Sequence, residues 1–328
     1  MIVLSDRPVG EYRATRNHRT SRGPREMHRK AGLQFLTHVA LFITFPPLSS
    51  GLPFMDLHNV NRVRRPARAE EIASWEAGFA WLAGGTWLFS EPQVDVHTLI
   101  DLQSLQWPSL QPSADGLEIA STCTVAELDR FVEKALPDWT AAPLFRLCCR
   151  SFLSSFKIWN EATVGGNICM SLPAGPMISL TAALEGVATL WPRGGEPRRV
   201  AAVDFVTGDH RNVLAAGELM RSILLPAHAM RKKFAFRRFT LTHLGRSEVL
   251  VIGTRCPAHD EFLLTITAAT VRPVQLRFER MPTAEGLKSA IEEAAPFSVY
   301  FDDVHGSPAH RKHLTHYFAQ QIRSELIP

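Results

Sequence analysis

Two glycine pairs hold the residues best suited to chemistry in this sequence. The first sits in Ala83-Gly84-Gly85-Thr86-Trp87, the second in Thr163-Val164-Gly165-Gly166-Asn167. Paired glycines let a backbone turn with positive φ and let N–H groups approach an anion with no Cβ in the way. Thr86, Thr163 and Asn167 add hydroxyl and amide groups that suit phosphate or polyol oxygens. Two such loops, about 80 residues apart, are placed to clamp the two halves of a pyrophosphate. A lone Gly-Gly pair reads more readily as a tight turn; both loops together with their flanks favour the clamp.

Other chemistry is poorly supplied. The sequence has no G-x-G-x-x-G, no G-x-x-x-x-G-K-[ST], no H-E-x-x-H and no G-x-S-x-G, which removes the Rossmann, Walker, zincin and hydrolase-elbow readings. Five cysteines (Cys123, Cys148, Cys149, Cys169, Cys256) are scattered without Cys-x-x-Cys spacing, so zinc or cluster ligation by this chain is not indicated. They read as reduced thiols of a cytoplasmic protein. His305, His310, His313 and His316 gather near the C-terminus without a Cys or carboxylate to complete a metal site, and read as a solvated helix surface.

Composition sets the frame for these motifs. The chain is 45% hydrophobic and 21% charged, the signature of a globular protein rather than a disordered or polytopic membrane one. Its formal charge of +4 is misleading. Residues 1–32 hold seven Arg and one Lys against three acidic residues, a net of +5, which leaves residues 55–328 near −1. A body so nearly neutral carries no nucleic-acid footprint. The apolar run Leu33–Phe45 after that basic stretch resembles a signal peptide but is shorter than the roughly 20 residues of a membrane span. The pattern of a folded domain begins just after Met55, so residues 1–54 read as a disordered or non-native extension.

The elements that must position the loops follow from hydrophobic pattern. Residues 66–75 have Pro early and acidic residues in the first turn, a short-helix pattern. Residues 79–82, 98–102 and 117–123 read as strands. Thr124 and Glu127 form a capping box for a helix whose apolar positions recur at helical spacing until Pro137. A helix is expected over 178–184, then strands over 187–191, 221–225, 234–240, 248–253, 262–270 and 274–278. The last four read as antiparallel neighbours. Helices over 284–295, capped by Thr283, and 308–326, capped by Ser307, close an α+β chain with a natural cut near 227–231.

With these residues in place, the sequence resembles the FAD-binding, medium subunit of the molybdenum hydroxylases, relatives of xanthine dehydrogenase and carbon monoxide dehydrogenase. The likeness rests on LAGGTWLF at 82–89 followed by TLIDL at 98–102, ATVGGNICMSLPAGP at 162–176, DFVTGDHRNVLAAGELMRSILLP at 204–226 and VHGSPAHRKHL at 304–314. The resemblance implies a two-part FAD-binding domain of the vanillyl-alcohol-oxidase (PCMH) type over 55–228, then a small C-terminal domain of antiparallel sheet plus helices over 229–328. It implies that Ala83, Gly84, Gly85, Thr86 and Trp87, with Thr163, Val164, Gly165, Gly166 and Asn167, contact noncovalent FAD. Leu153 falls where the family packs an apolar side chain against adenine, Met220 matches another apolar contact, and Arg237 a basic one near the flavin.

Two departures stand out. The family usually has an acidic residue where this chain has Trp87, and another where it has Pro176, which offers neither side-chain hydrogen bond nor backbone N–H. The function implied is electron transfer in the cytoplasm from partner [2Fe–2S] clusters through FAD to an external acceptor, the molybdenum cofactor lying on a large partner subunit and the clusters on a small one. The alternatives are a free-standing flavin oxidase or reductase of the same fold, and a non-catalytic assembly subunit with a decayed flavin site.

Overall fold

In the computed structural model, residues 59–327 are described, apart from 73, 193, 194 and 244. The N-terminal stretch read as an extension therefore lies outside the described residues. Three strands come first: β1 (Arg62–Arg64), β2 (Phe79–Leu82) and β3 (Thr98–Asp101) pair in parallel in the order β1-β3-β2. The apolar runs of β2 and β3 are buried, as parallel strands covered on both faces should be. β2 delivers the chain directly into the first glycine loop.

A second, antiparallel sheet follows. β4 (Leu110–Ser113) and β5 (Gly116–Ala120) form a hairpin, and β5 leads into α1 (Val125–Phe131). The capping box forms as read: Thr124 Oγ1 accepts from Glu127 N at 3.2 Å, and Glu127 Oε2 accepts from Thr124 N at 2.7 Å. Helices α2 (Pro143–Ser151), α3 (Phe156–Glu161), α4 (Val164–Cys169) and α5 (Pro176–Ala183) come next. The chain returns through β6 (Val187–Trp191), β7 (Arg198–Ala201), α6 (Ala202–Phe205), the ribbon β8 (Val206–Gly208) and β9 (Arg211–Asn212), β10 (Leu219–Pro226) and α7 (Ala227–Met230). The five-stranded order is β4-β5-β10-β6-β7, so β10 sits in the middle between two strands from distant parts of the chain.

The third sheet is a meander. β11 (Lys233–Phe239), β12 (Val249–Arg255), β13 (Phe262–Thr267) and β14 (Val274–Phe278) pair antiparallel in sequence order, the arrangement read from the sequence. α8 (Ala284–Ala294) and α9 (Pro308–Leu326), capped by Thr283 and Ser307, complete this part. Arg311 of α9 is 1% exposed and donates to the carbonyls of Gly306, Glu248 and Ala268 and to Asp303 Oδ1. Its charge is thus compensated by fixed acceptors, which is what a buried guanidinium requires.

α5 joins the two antiparallel sheets. All eight of its residues are buried, which fits a helix that is apolar on every side. Met177, Ile178 and Leu180 share one apolar cluster with Ile119, Ile223 and Leu225 of the five-stranded sheet and Leu250 and Ile252 of the meander. Polar links reinforce the packing: Ala268 N donates to Pro173 O at 2.9 Å, and the hydroxyls of Ser179 and Thr267 lie 2.6 Å apart.

One expectation fails. Where residues 66–75 read as a helix, the structure has a single tight turn at Ala69–Glu71. Glu71 explains it: its carboxylate accepts from Ala67 N and its carbonyl from the Arg64 guanidinium, so the groups that would propagate a helix are engaged locally.

Candidate functional site

The first glycine loop has the makings of an anion cradle. Gly85 takes φ +69, a left-handed conformation that an L side chain rarely adopts. Gly84 is required for a different reason, because a Cβ there would lie 1.8 Å from the carbonyl oxygen of Glu161. Among the described residues, no hydrogen bond is made by the N–H groups of Gly84, Gly85 or Thr86. Three consecutive uncommitted N–H groups around a left-handed residue form the kind of concavity that binds phosphate oxygens. Trp87 is partly buried in the turn that follows, its carbonyl accepting from Ser90.

The second loop is built otherwise. Thr163 is the N-cap of α4, its Oγ1 accepting from Gly166 N at 3.0 Å. Val164 N donates to Cys123 O and Gly165 N to Ser121 O, so the first turn of α4 is stitched to the end of β5. A Cβ on Gly165 would come within 2.3 Å of Ser121 Cβ, which is why the residue is glycine. The N–H groups of Val164, Gly165, Gly166 and Asn167 are all engaged within the protein. What this loop still offers a ligand is side-chain chemistry: the Thr163 O–H and the Asn167 Nδ2. Asn167 Oδ1 accepts from Met177 N at 3.1 Å, tying the loop to the start of α5 beside buried Pro176.

The two loops meet at a cavity of about 30 Å³. Ala83 reaches it from the first loop, Gly165 and Gly166 from the second, and Met220 from β10. Trp81, Leu102 and Leu219 make the rest of its wall apolar, while Ser121 and Cys169 supply the polar side-chain atoms. Burial pushes the Cys169 thiol up to about 11, so it stays protonated at neutral pH. The cavity exceeds the ~10–15 Å³ that one water needs but is far below the ~300 Å³ of a whole-ligand pocket. It is a small socket between the two loops.

Neighbouring polar groups hold the wall in place. Glu218, next to Leu219, is 1% exposed and takes a bidentate pair of hydrogen bonds from Arg198 at 2.7 and 2.6 Å. Burial raises its pKa, but the Arg198 bonds and the Ala215 N–H outweigh burial and hold the carboxyl below the ordinary glutamate range. Asn212 of β9 donates to Cys169 O at 2.9 Å and pins the end of α4.

Of the residues singled out in the sequence, Ala83, Gly165, Gly166 and Met220 line this cavity; Gly84, Gly85, Thr86, Trp87, Thr163, Val164 and Asn167 of the loops do not, and neither do Leu153, Pro176 and Arg237. Leu153 is 50% exposed after α2. Pro176 is the buried first residue of α5. Arg237 on β11 donates to Gln321 and Glu325 of α9, at 2.9 and 2.5 Å. Conversely, Leu102, Cys169 and Leu219 lie within the segments quoted from the sequence without having been singled out, and Trp81 and Ser121 lie outside them; the nearest signal is that Ser121 interrupts the apolar alternation just after β5.

Among the described residues, no group of three or more His, Cys, Asp or Glu side chains is placed to hold a metal ion, and no helix is long and apolar enough to cross a membrane. All five cysteines are unpaired.

Known proteins share this fold. The family described as FAD binding domain in molybdopterin dehydrogenase matches residues 59–228. Xanthine dehydrogenase 2 of Arabidopsis thaliana is 27% identical over 183 residues, which make up 49% of this chain and 13% of that protein. Xanthine dehydrogenase of Oryza sativa subsp. japonica is 25% identical over 152 residues, 44% of this chain and 11% of that protein. The matches thus span only about a tenth of these relatives' length. Among solved structures, a chain of quinoline 2-oxidoreductase from Pseudomonas putida 86 superposes with TM-score 0.62 at 20% identity, covering 80% of this chain and 95% of that one. A chain of carbon monoxide dehydrogenase from Hydrogenophaga pseudoflava gives TM-score 0.65 at 18% identity, covering 80% and 96%. Coverage of 80% is more than residues 59–228 supply, so the likeness of fold extends into the meander sheet.

Proposed function

This chain belongs to the family of FAD-binding domains of molybdopterin dehydrogenases, and from that premise we propose that it is the electron-transfer subunit of a molybdenum hydroxylase. FAD is the cofactor of the family, and we read it here as noncovalently held. The observation that carries the reading is the meeting of both glycine loops and Met220 at one socket beside three uncommitted backbone N–H groups. The residues fit the group: the nest at Gly84–Thr86 suits a pyrophosphate, and Ser121, whose buried hydroxyl has no partner among the described residues, lines the same socket.

Bound FAD supplies reversible two-electron chemistry with release singly or in pairs. This chain's residues bind and orient it. In this reading the N–H groups of Gly84, Gly85 and Thr86 take phosphate oxygens, and Thr163 O–H and Asn167 Nδ2 add hydrogen bonds. Trp81, Leu102, Leu219 and Met220 exclude water from one side. Leu153 serves as the apolar contact to adenine, and Trp87, Pro176 and Arg237 flank the cofactor. Residues 55–228 then form the FAD-binding domain and 229–328 a C-terminal domain. The molybdenum cofactor and [2Fe–2S] clusters sit on large and small partner subunits in the cytoplasm, and electrons leave for an external acceptor.

The test is stopped-flow mixing of the purified chain with oxidisable aldehydes or heterocycles, alone and with its partner subunits. Flavin bleaching should require the partners. Bleaching by the chain alone would instead identify a free-standing flavin oxidase, and a chain that binds no flavin in any setting would point to an assembly role.

A further inference from the structure

Ser121 directly follows β5, at the point where the two loops meet. Its backbone is fully used: its N–H donates to Arg221 O at 3.1 Å, and its carbonyl accepts from Gly165 N at 3.0 Å. Its side chain is in the opposite condition. The residue is 4% exposed, and its Oγ is sealed from solvent without a hydrogen-bond partner among the described residues. Buried hydroxyls are nearly always partnered, because leaving one unpaired forfeits its hydration without return.

The surroundings narrow what the partner is. The socket that Ser121 lines is otherwise apolar apart from the Cys169 thiol, a weak hydrogen-bonding group. The N–H groups of Gly165 and Gly166 are already taken by Ser121 O and Thr163 Oγ1, and the Cys169 carbonyl accepts from Asn212. A resident water needs two to four polar partners, and this wall offers it little beyond the Ser121 hydroxyl. A ligand atom held in place by contacts elsewhere needs no more than that one bond.

We propose that the Ser121 hydroxyl is a cofactor-binding group that donates a hydrogen bond to bound FAD; this rests on the flavin reading above. The arrangement makes the apoprotein carry an unsatisfied hydroxyl that the cofactor satisfies. Removing it therefore has opposite signs in the two forms.

The experiment compares the full chain with S121A, each stripped of flavin and titrated with FAD while flavin fluorescence is followed, together with thermal melts of the apoproteins. The expected result is an S121A apoprotein that melts at or above the wild-type temperature, with an FAD Kd about five- to tenfold weaker, the fold-change of one lost hydrogen bond. S121C, with a weak donor of similar size, should fall between. Equal FAD affinity in wild type and S121A overturns the contact while leaving the flavin reading intact. An S121A apoprotein that melts clearly lower also overturns it, since the hydroxyl would then be satisfied within the protein. A wild-type chain that binds no FAD overturns the flavin reading and this contact together.

Discussion

Replacing Lys232 by Met tests the joint that holds α5, and with it the second glycine loop, against the meander sheet. Lys232 is 2% exposed, and its Nζ donates to Glu185 Oε1 at 2.6 Å and to Glu261 Oε1 at 3.0 Å. Arg277 donates to the other Glu185 oxygen at 2.5 Å and also to Glu261. Methionine keeps the apolar stem and deletes the buried charge of this four-group cluster. Breaking a buried pair by removing one partner costs about 3–5 kcal/mol, because it strands a charge. Here half-exposed Arg277 still donates to both carboxylates and offsets one of the two charges, so about 2 kcal/mol is expected, or roughly 3–4 °C in Tm for a protein of this size.

The pH dependence carries a sign. Burial raises the Glu185 pKa, but hydrogen bonds from Lys232 and Arg277 outweigh it and hold the carboxyl below the ordinary glutamate range. A depressed carboxyl contributes its stability in full above its unfolded pKa and loses it as pH falls through the lower folded value. The gap between wild type and K232M should thus be steady from about pH 8 to about pH 5 and shrink on further acidification. Thermal melts across that range are the assay. A Tm within about 1 °C of wild type at neutral pH, or a gap that widens in acid, would refute the reasoning.

Three further outcomes follow from the same geometry. G165A should lose roughly 1–3 kcal/mol through overpacking, since its Cβ would meet Ser121 Cβ at 2.3 Å, whereas G166A meets only Thr163 Oγ1, at 2.9 Å, and should melt near wild type; equal melts would contradict this. T124A, stripped of half the capping box, should lose about 1 kcal/mol by urea denaturation, and no loss would mean that tertiary packing alone fixes α1. R311M strands three carbonyls and Asp303, so it should expose the meander and α9 to proteolysis while R311K retains part of the protection; an R311M chain as resistant as wild type would show those acceptors are satisfied otherwise.

Much of the fold was legible because local signals and tertiary structure agree. Thr124 and Glu127, Thr283 and Ser307 mark helix starts by capping chemistry that needs no knowledge of the rest of the chain. The strands over 187–191 and 274–278 are bounded as their apolar patterns suggest. α4 was not legible. Val-Gly-Gly-Asn has poor helix propensity, and the helix exists because Cys123 and Ser121 carbonyls accept its first N–H groups. α3 is only six residues long, too short for a helical period to show, and β4 contains Pro112.

The site divides in the same way. Gly85 shows its left-handed role in sequence, whereas the uses of Gly84 and Gly165 depend on Glu161 and Ser121, which only the folded chain brings near. Ser121 and Met220 share a wall because β5 pairs with β10, Ala120 opposite Ser222, across about 100 residues of chain. No local pattern encodes such a register.

The central claim, that this chain holds FAD across its two glycine loops, is tested most directly by equilibrium titration of the purified chain with FAD, with G85V alongside as the loop variant. Valine at φ +69 is strained and its Cβ would meet the Phe89 ring at 2.5 Å, so it should distort the loop and remove binding while far-ultraviolet circular dichroism stays unchanged. The expected result is saturable binding of about one FAD per wild-type chain, released by mild denaturant, and none to folded G85V. A wild-type chain with no saturable FAD binding, or a G85V chain that binds as tightly as wild type, would contradict it.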